Sequence, residues 1–133
     1  MPMTATSPLL LAAVALGGAL GSVARYLTGL WATAHLGLGF PWGTVIVNIV
    51  GCAVIGVLGG ALAEGMQMPA AWRLFLITGT LGGFTTFSAF SLDTGMLWLR
   101  TPSVALFYVA LSVLGGLAAF AATFAIARRA MGA

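Results

Sequence analysis

Charge is nearly absent from this chain. Only Arg25, Glu64, Arg73, Asp93, Arg100, Arg128 and Arg129 carry one, and there is no lysine. Between them lie apolar runs long enough to cross a bilayer, and 61% of residues are hydrophobic against 5% charged. Soluble proteins average about 25% charged residues. A monomer of this composition cannot stay dissolved, so its solvent is lipid. The expected class is an all-α protein integral to the cell (inner or plasma) membrane and crossing it several times. In hydrocarbon a helix satisfies its own backbone groups.

Residues 1–133 read as one four-helix transmembrane domain. The spans fall near 7–31, 41–63, 71–99 and 103–127. Pro41, Pro69 and Pro102 stand where proline suits a helix start or the position before it. Trp31, Trp42, Trp72 and Trp98 fall near segment ends, where an aromatic belt belongs. The start of the chain lacks the basic region of a secretory signal, and the run from Leu9 to Ala24 meets Arg25 rather than a cleavage site. That run is expected to be a retained membrane helix.

The third segment is longer than a bilayer requires. Its middle is the cluster Gly79-Thr-Leu-Gly-Gly-Phe-Thr-Thr-Phe-Ser-Ala-Phe-Ser91. Glycines and hydroxyls at mid-depth argue against a straight lipid-facing helix. The expectation is a helix broken within about 79–88, its freed backbone groups buried in protein. Gly79, Gly82 and Gly83 are expected to permit the broken backbone. Small residues also recur at helix-packing spacing, as Gly17/Gly21, Gly18/Ser22, Gly56/Gly60 and Gly79/Gly83.

Polar groups within the spans need partners or a wet cavity. Asn48 lies mid-segment, with Thr44 one turn before it on the same face. Either an interhelical hydrogen bond or a place on a polar path would account for it. Arg25 could snorkel to the interface or be held inward on helix C-terminal carbonyls. Asp93 reads as a vestibule-facing carboxylate or as a helix-end charge. Phe87 and Phe90 sit beside Thr85, Thr86 and Ser88. Their positive ring edges could face a small anion without a full charge. Tyr108, Ser112 and Gly116 share one face of the fourth segment, so its two hydroxyls form a short stripe.

Other chemistry is disfavoured. The two acids are far apart, and Cys52 has no histidine nearby in sequence, so a catalytic constellation is missing. Cys52 is expected to be a small packing residue. Arg128-Arg129 reads as a helix end at lipid headgroups. Nucleic acid is not an expected partner, because the basic residues do not cluster. An even number of crossings puts Arg73, Arg128 and Arg129 on one side and Arg25 and Arg100 on the other. Three against two gives the positive-inside rule almost nothing to act on. That leaves either a weakly biased single orientation or insertion both ways, giving an antiparallel homodimer.

Taken together, Gly17-Gly-Ala-Leu-Gly-Ser-Val-Ala-Arg-Tyr26, Gly43-Thr-Val-Ile-Val-Asn-Ile-Val-Gly51 and the Gly79–Ser91 cluster resemble the small fluoride channels of the Fluc or CrcB family. Three motifs in order, over the whole four-helix length, carry the resemblance. It implies an antiparallel, dual-topology homodimer with two pores, passively exporting cytoplasmic fluoride and so relieving its toxicity. It implies a third helix broken at mid-membrane, with a structural Na+ at the dimer centre on the backbone carbonyls of Gly82 and Thr85. The implied pore residues are Asn48, Thr44, Phe87, Ser88, Phe90, Tyr108 and Ser112. Arg25 matches a first-helix arginine that is structural or draws anions into the vestibule. Some members carry a further hydroxyl where this chain has Gly116, so the polar track could be shorter here. Two other classes compete: a dual-topology small multidrug exporter, and a non-transporting membrane assembly subunit. The exporter normally places a glutamate in its first helix, and this first segment has no acid.

Overall fold

A computed structural model describes residues 6–133, and among them every regular element is a helix. Four helices are long and apolar enough to span a membrane: Pro8–Leu36, Trp42–Ala63, Ala70–Arg100 and Pro102–Gly132. Proline and glycine fix several of their ends. Ser7 caps the first helix by accepting from the Leu10 N–H at 3.4 Å, and Pro8 fills the first turn. Gly37, at φ 86°, ends that helix in a backbone region that favours glycine. Pro41 and Pro69 precede the second and third spans, and Pro102 opens the fourth. The first helix runs past Trp31 to Leu36, so the first connection is shorter than the sequence predicts, and the fourth helix continues past Ala127 to Gly132.

The third span is broken within the expected stretch, but by a different device from the one expected. Residues 70–84 are helical, with a wide π-helical stretch over Leu74–Leu81. Helix resumes at Ser88–Arg100. The break is confined to 85–87, where Thr85 turns extended at φ −81° and ψ 158°. Gly82 remains helical at φ −62° and ψ −35°. Among the described residues positive φ occurs only at Gly37 and Gly65. The glycines of the cluster therefore do not supply the break.

Those glycines bring backbones together instead. The first helix lies against residues 70–84, with Gly17 and Gly21 facing Gly79 and Thr80. A Cβ on Gly21 would run into the Thr80 carbonyl oxygen, and one on Gly83 would come within 2.6 Å of the Gly18 carbonyl oxygen. The second helix pairs with the fourth in the same manner. Gly56 and Gly60 abut Phe120, Thr123 and Phe124, and from the other side Gly115 and Gly116 abut Ile49 and Cys52. Lipid tails are as apolar as leucine, so close van der Waals approach holds such helices together. The spacings seen in sequence thus become two seams that mate backbone to backbone.

Ser88–Arg100 docks on the fourth helix. There Val45, Leu97, Ala105 and the wholly buried Tyr108 form a core flanked by Phe40, Ile49 and Phe90. At the opposite end Glu64 pairs with Arg128, tying the end of the second helix to the end of the fourth.

Candidate functional site

The break poses a backbone problem, and Asn48 answers it. The second helix brings Asn48 level with residues 85–87. Its Nδ2 donates to the Thr86 carbonyl at 2.9 Å, and its Oδ1 accepts from the Thr86 N–H at 2.8 Å. One side-chain amide thereby satisfies both backbone groups of a residue that has left the helical ladder. An amide has two N–H groups, so one remains beyond this pair. Thr86 then caps the resumed helix, its Oγ1 accepting from the Ala89 N–H at 3.1 Å. Ser88 is exposed, with Oγ 3.5 Å from Thr86 Oγ1.

These diversions free particular carbonyls. In a continuous helix the Gly82 carbonyl would accept from the Thr86 N–H, and the Thr85 carbonyl from the Ala89 N–H. Both N–H groups are engaged elsewhere, by Asn48 and by the Thr86 hydroxyl. The two carbonyls assigned to a cation by resemblance are thus among those that lose their ladder partners at the break. Gly82 and Thr85 also line one cavity, of about 400 Å³. Backbone carbonyl oxygens are donors of the kind that a hard cation such as Na+ takes.

Arg25 is held inward. Its Nε donates to the Gly83 carbonyl at 3.0 Å, at the end of residues 70–84. A helix C-terminus carries partial negative charge and unsatisfied carbonyls, which a guanidinium complements. Arg25 also borders a cavity of about 320 Å³ together with Thr33, Thr44 and Thr86. A cation therefore stands in the wall of a chamber that reaches the break.

Thr44 does not turn to Asn48, although the two share a face. Its Oγ1 donates to Asp93 Oδ2 at 2.7 Å, and the Tyr108 hydroxyl donates to the same oxygen at 3.0 Å. Asp93 is the meeting point of the second helix, the resumed third and the fourth. Sequence reasoning left it between two readings and outside the candidate set. The available signal was scarcity: in a chain with two acids, one lying inside a span must have partners. Thr86 was likewise noticed only as a neighbour, and its hydroxyl beside the break was the clue.

The aromatic rings form a continuous path. Phe87 and Phe90 have centroids 5.6 Å apart with planes at 43°, and Phe90 lies 5.3 Å from Tyr108. Phe87 is 79% exposed, whereas Phe90 is half-buried against the core. Ser112, one turn beyond Tyr108, is 8% exposed, and its Oγ has no hydrogen-bond partner among the described residues. At Gly116 the next turn holds no hydroxyl, and the Cys52 sulfur lies 3.2 Å from where a Cβ would stand. Asn48, Thr44, Phe90, Tyr108 and Arg25 are thus all tied into the contacts around the break. Phe87, Ser88 and Gly82 are presented outward from it.

Four apolar helices around a polar break at mid-depth define a small integral, multi-pass membrane protein with a hydrogen-bonding interior. Residues 12–124 match the family described as CrcB-like protein, Camphor Resistance (CrcB). The chain belongs to the CrcB family. Its relatives include a protein named fluoride-specific ion channel FluC from Rhizobium johnstonii, 53% identical over 116 residues, covering 86% of this chain and 93% of the relative. A protein of the same name from Agrobacterium fabrum is 48% identical over 119 residues, 89% of this chain and 95% of the relative. Another, from a Chelativorans species, is 50% identical over 107 residues, 80% of this chain and 86% of the relative.

Proposed function

We propose that this protein is a fluoride-selective channel, not an enzyme, and that it passively exports cytoplasmic fluoride as an antiparallel, dual-topology homodimer with two pores. Relatives of similar length carry the name fluoride-specific ion channel. The observation in this chain that carries the reading is Ser112. A hydroxyl buried at 8% exposure without a partner is a donor kept available inside the membrane. Leaving it so costs about 1–3 kcal/mol unless something recovers the bond.

Fluoride is small and strongly hydrated, so a selective path has to replace its water with close donors. Asn48 offers its second N–H, Ser112 its hydroxyl, and Phe87 and Phe90 their positive ring edges. Thr44 and Tyr108 lend their protons to Asp93 at rest and can lend them to a passing anion. Ser88 offers a further hydroxyl at the exposed side of the break. None of these is a full positive charge, so the ion is held weakly enough to leave. Arg25, half-buried on the Gly83 carbonyl, raises anion concentration in the chamber without standing free in the path.

The same reading places a structural Na+ at the dimer centre on the Gly82 and Thr85 carbonyls. A cation there would satisfy carbonyls released at mid-membrane, where an orphan group costs several kcal/mol. The exposure of Gly82 and Phe87 supports a second copy at this surface.

Purified protein in liposomes tests the function. Under a gradient, fluoride should escape rapidly while chloride is retained. Equal escape of both ions, or escape of neither, overturns the proposal. Coupled movement of an organic cation against protons would favour the exporter class instead.

A further inference from the structure

The second and fourth helices run side by side in one register. Glu64 pairs with Arg128, Gly60 meets Phe124, Gly56 meets Phe120, and Cys52 meets Gly116, each pair one turn from the last. The same register sets Asn48 level with Ser112, and then Thr44 level with Tyr108, whose hydroxyls meet on Asp93. On the other side of Cys52 the seam closes. Gly56 lies against the Phe120 backbone, and the Thr123 hydroxyl there donates to the Ala119 carbonyl of its own helix.

Donors are left unused at the level of Asn48 and Ser112. The Ser112 Oγ is buried without a hydrogen-bond partner among the described residues. Asn48 keeps an N–H beyond its bonds to Thr86. Two polar groups set level in one seam that do not bond each other leave the place between them to a third party. One turn on, the fourth helix has nothing to offer, because Gly116 has no side chain. The second helix has Cys52, on the same face as Asn48, its sulfur 3.2 Å from where a Gly116 Cβ would stand. We propose that the Cys52 S–H is the last hydrogen-bond donor of the anion path, supplied by the second helix where the stripe on the fourth stops. A thiol is a weak donor, which suits a position that an ion has to leave. The proposal rests on the fluoride reading above and names the atom that meets the ion after Ser112.

Cys52 is the only cysteine in the chain, so the S–H stretching band in the infrared reports on this one group. With the protein in lipid, fluoride should move that band to lower frequency relative to gluconate at equal ionic strength. An identical band in both overturns the proposal.

Flux from liposomes supplies the second readout. Cys52→Ala should slow fluoride escape roughly fivefold, the size of one weak hydrogen bond, and Cys52→Ser should keep it near the parent rate. The deciding variant moves the donor across the seam. Once the sulfur is gone, the nearest atom to a Gly116 Cβ is the Cβ at position 52, at 4.0 Å, so a serine fits there. Cys52→Ala/Gly116→Ser should therefore recover flux, whereas Cys52→Ala/Gly116→Ala, which fills the seam without a donor, should not. Parent-like flux in Cys52→Ala, or equal flux in the two double variants, returns Cys52 to packing. A parent that passes neither fluoride nor chloride defeats the fluoride reading, while the infrared band still decides whether the thiol meets an anion.

Discussion

Asn48 gives one N–H to the Thr86 carbonyl, accepts the Thr86 N–H on its own carbonyl oxygen, and keeps a second N–H in reserve. Asn48→Ala should therefore strand two backbone groups, each costing about 1–3 kcal/mol. The expected result is a lower melting temperature in detergent together with lost fluoride flux. Asn48→Asp keeps the acceptor but loses the donor to the Thr86 carbonyl and repels an anion, so its flux should be lower still than its stability predicts. The two phenylalanines should separate in a similar way. Phe87→Ile and Phe90→Ile should both reduce flux by removing positive ring edges. Phe90→Ile should also lower the melting temperature, because Phe90 lies against Tyr108 while Phe87 is exposed. Near-parent flux in both variants would return these rings to a packing role. The residue types at the site were legible in the sequence because lipid makes any polar side chain conspicuous. Their partners were not. Asn48 bonds a backbone unit 38 residues away, and Thr44 reaches across to Asp93 rather than along its own helix. Helical periodicity shows which positions share a face, and is silent about which neighbouring element supplies the bond.

Between elements, the contact is mostly backbone on backbone. Gly21→Ala should be severely destabilising, because its Cβ meets the Thr80 carbonyl, whereas Gly39→Ala, with nothing within 4 Å, should be neutral. Overpacking costs of about 1–3 kcal/mol per site set the expected gap between the two melting temperatures. Equal values would mean that the seam is looser than described. Gly82 is a different case. It is helical and exposed, with only the Ile77 carbonyl at 3.7 Å from a Cβ, so Gly82→Val fits the chain's own fold. Any loss of dimer or flux in that variant comes from what lies against the break from outside. The proposed Na+ predicts that prolonged exchange into N-methylglucamine weakens the dimer and stops flux, and that Thr85→Ser, which leaves the carbonyl, does not. Unchanged flux and dimer after exchange would remove the cation from the proposal. At this scale the sequence announced the seams and the stretch that holds the break, and it credited the break to the wrong residues. Gly79 and Gly83 look like flexible joints in a sequence, but they are flat surfaces for the first helix. The joint itself is made of Thr85 and Thr86, which any backbone could use.

As a whole, the molecule is two helix pairs linked through the break: the first helix with residues 70–84, and the second with the fourth, on which Ser88–Arg100 also rests. The arginine balance predicts both orientations in one membrane. C-terminal reporters active on opposite sides should both respond, and two lysines added after Gly132 should force a single orientation. A single orientation in the unmodified chain would sink the antiparallel dimer. The four spans were legible from length and hydropathy alone, whereas glycine spacing marks a packing face on a helix without saying which other helix meets it. The broken third span also bears on how the chain enters a bilayer during synthesis. Residues 70–84 and Ser88–Arg100 extend only about 20 Å each at 1.5 Å per residue, short of the ~30 Å hydrocarbon core. Neither half is a stop-transfer or re-start signal by itself, and together they form the least apolar of the four spans. The insertion machinery therefore has little reason to release the third span to lipid until the first two helices are there to receive it. The Asn48–Thr86 clasp is then a step in biogenesis: the ribosome delivers Asn48 first, and the broken span becomes lipid-compatible on reaching it.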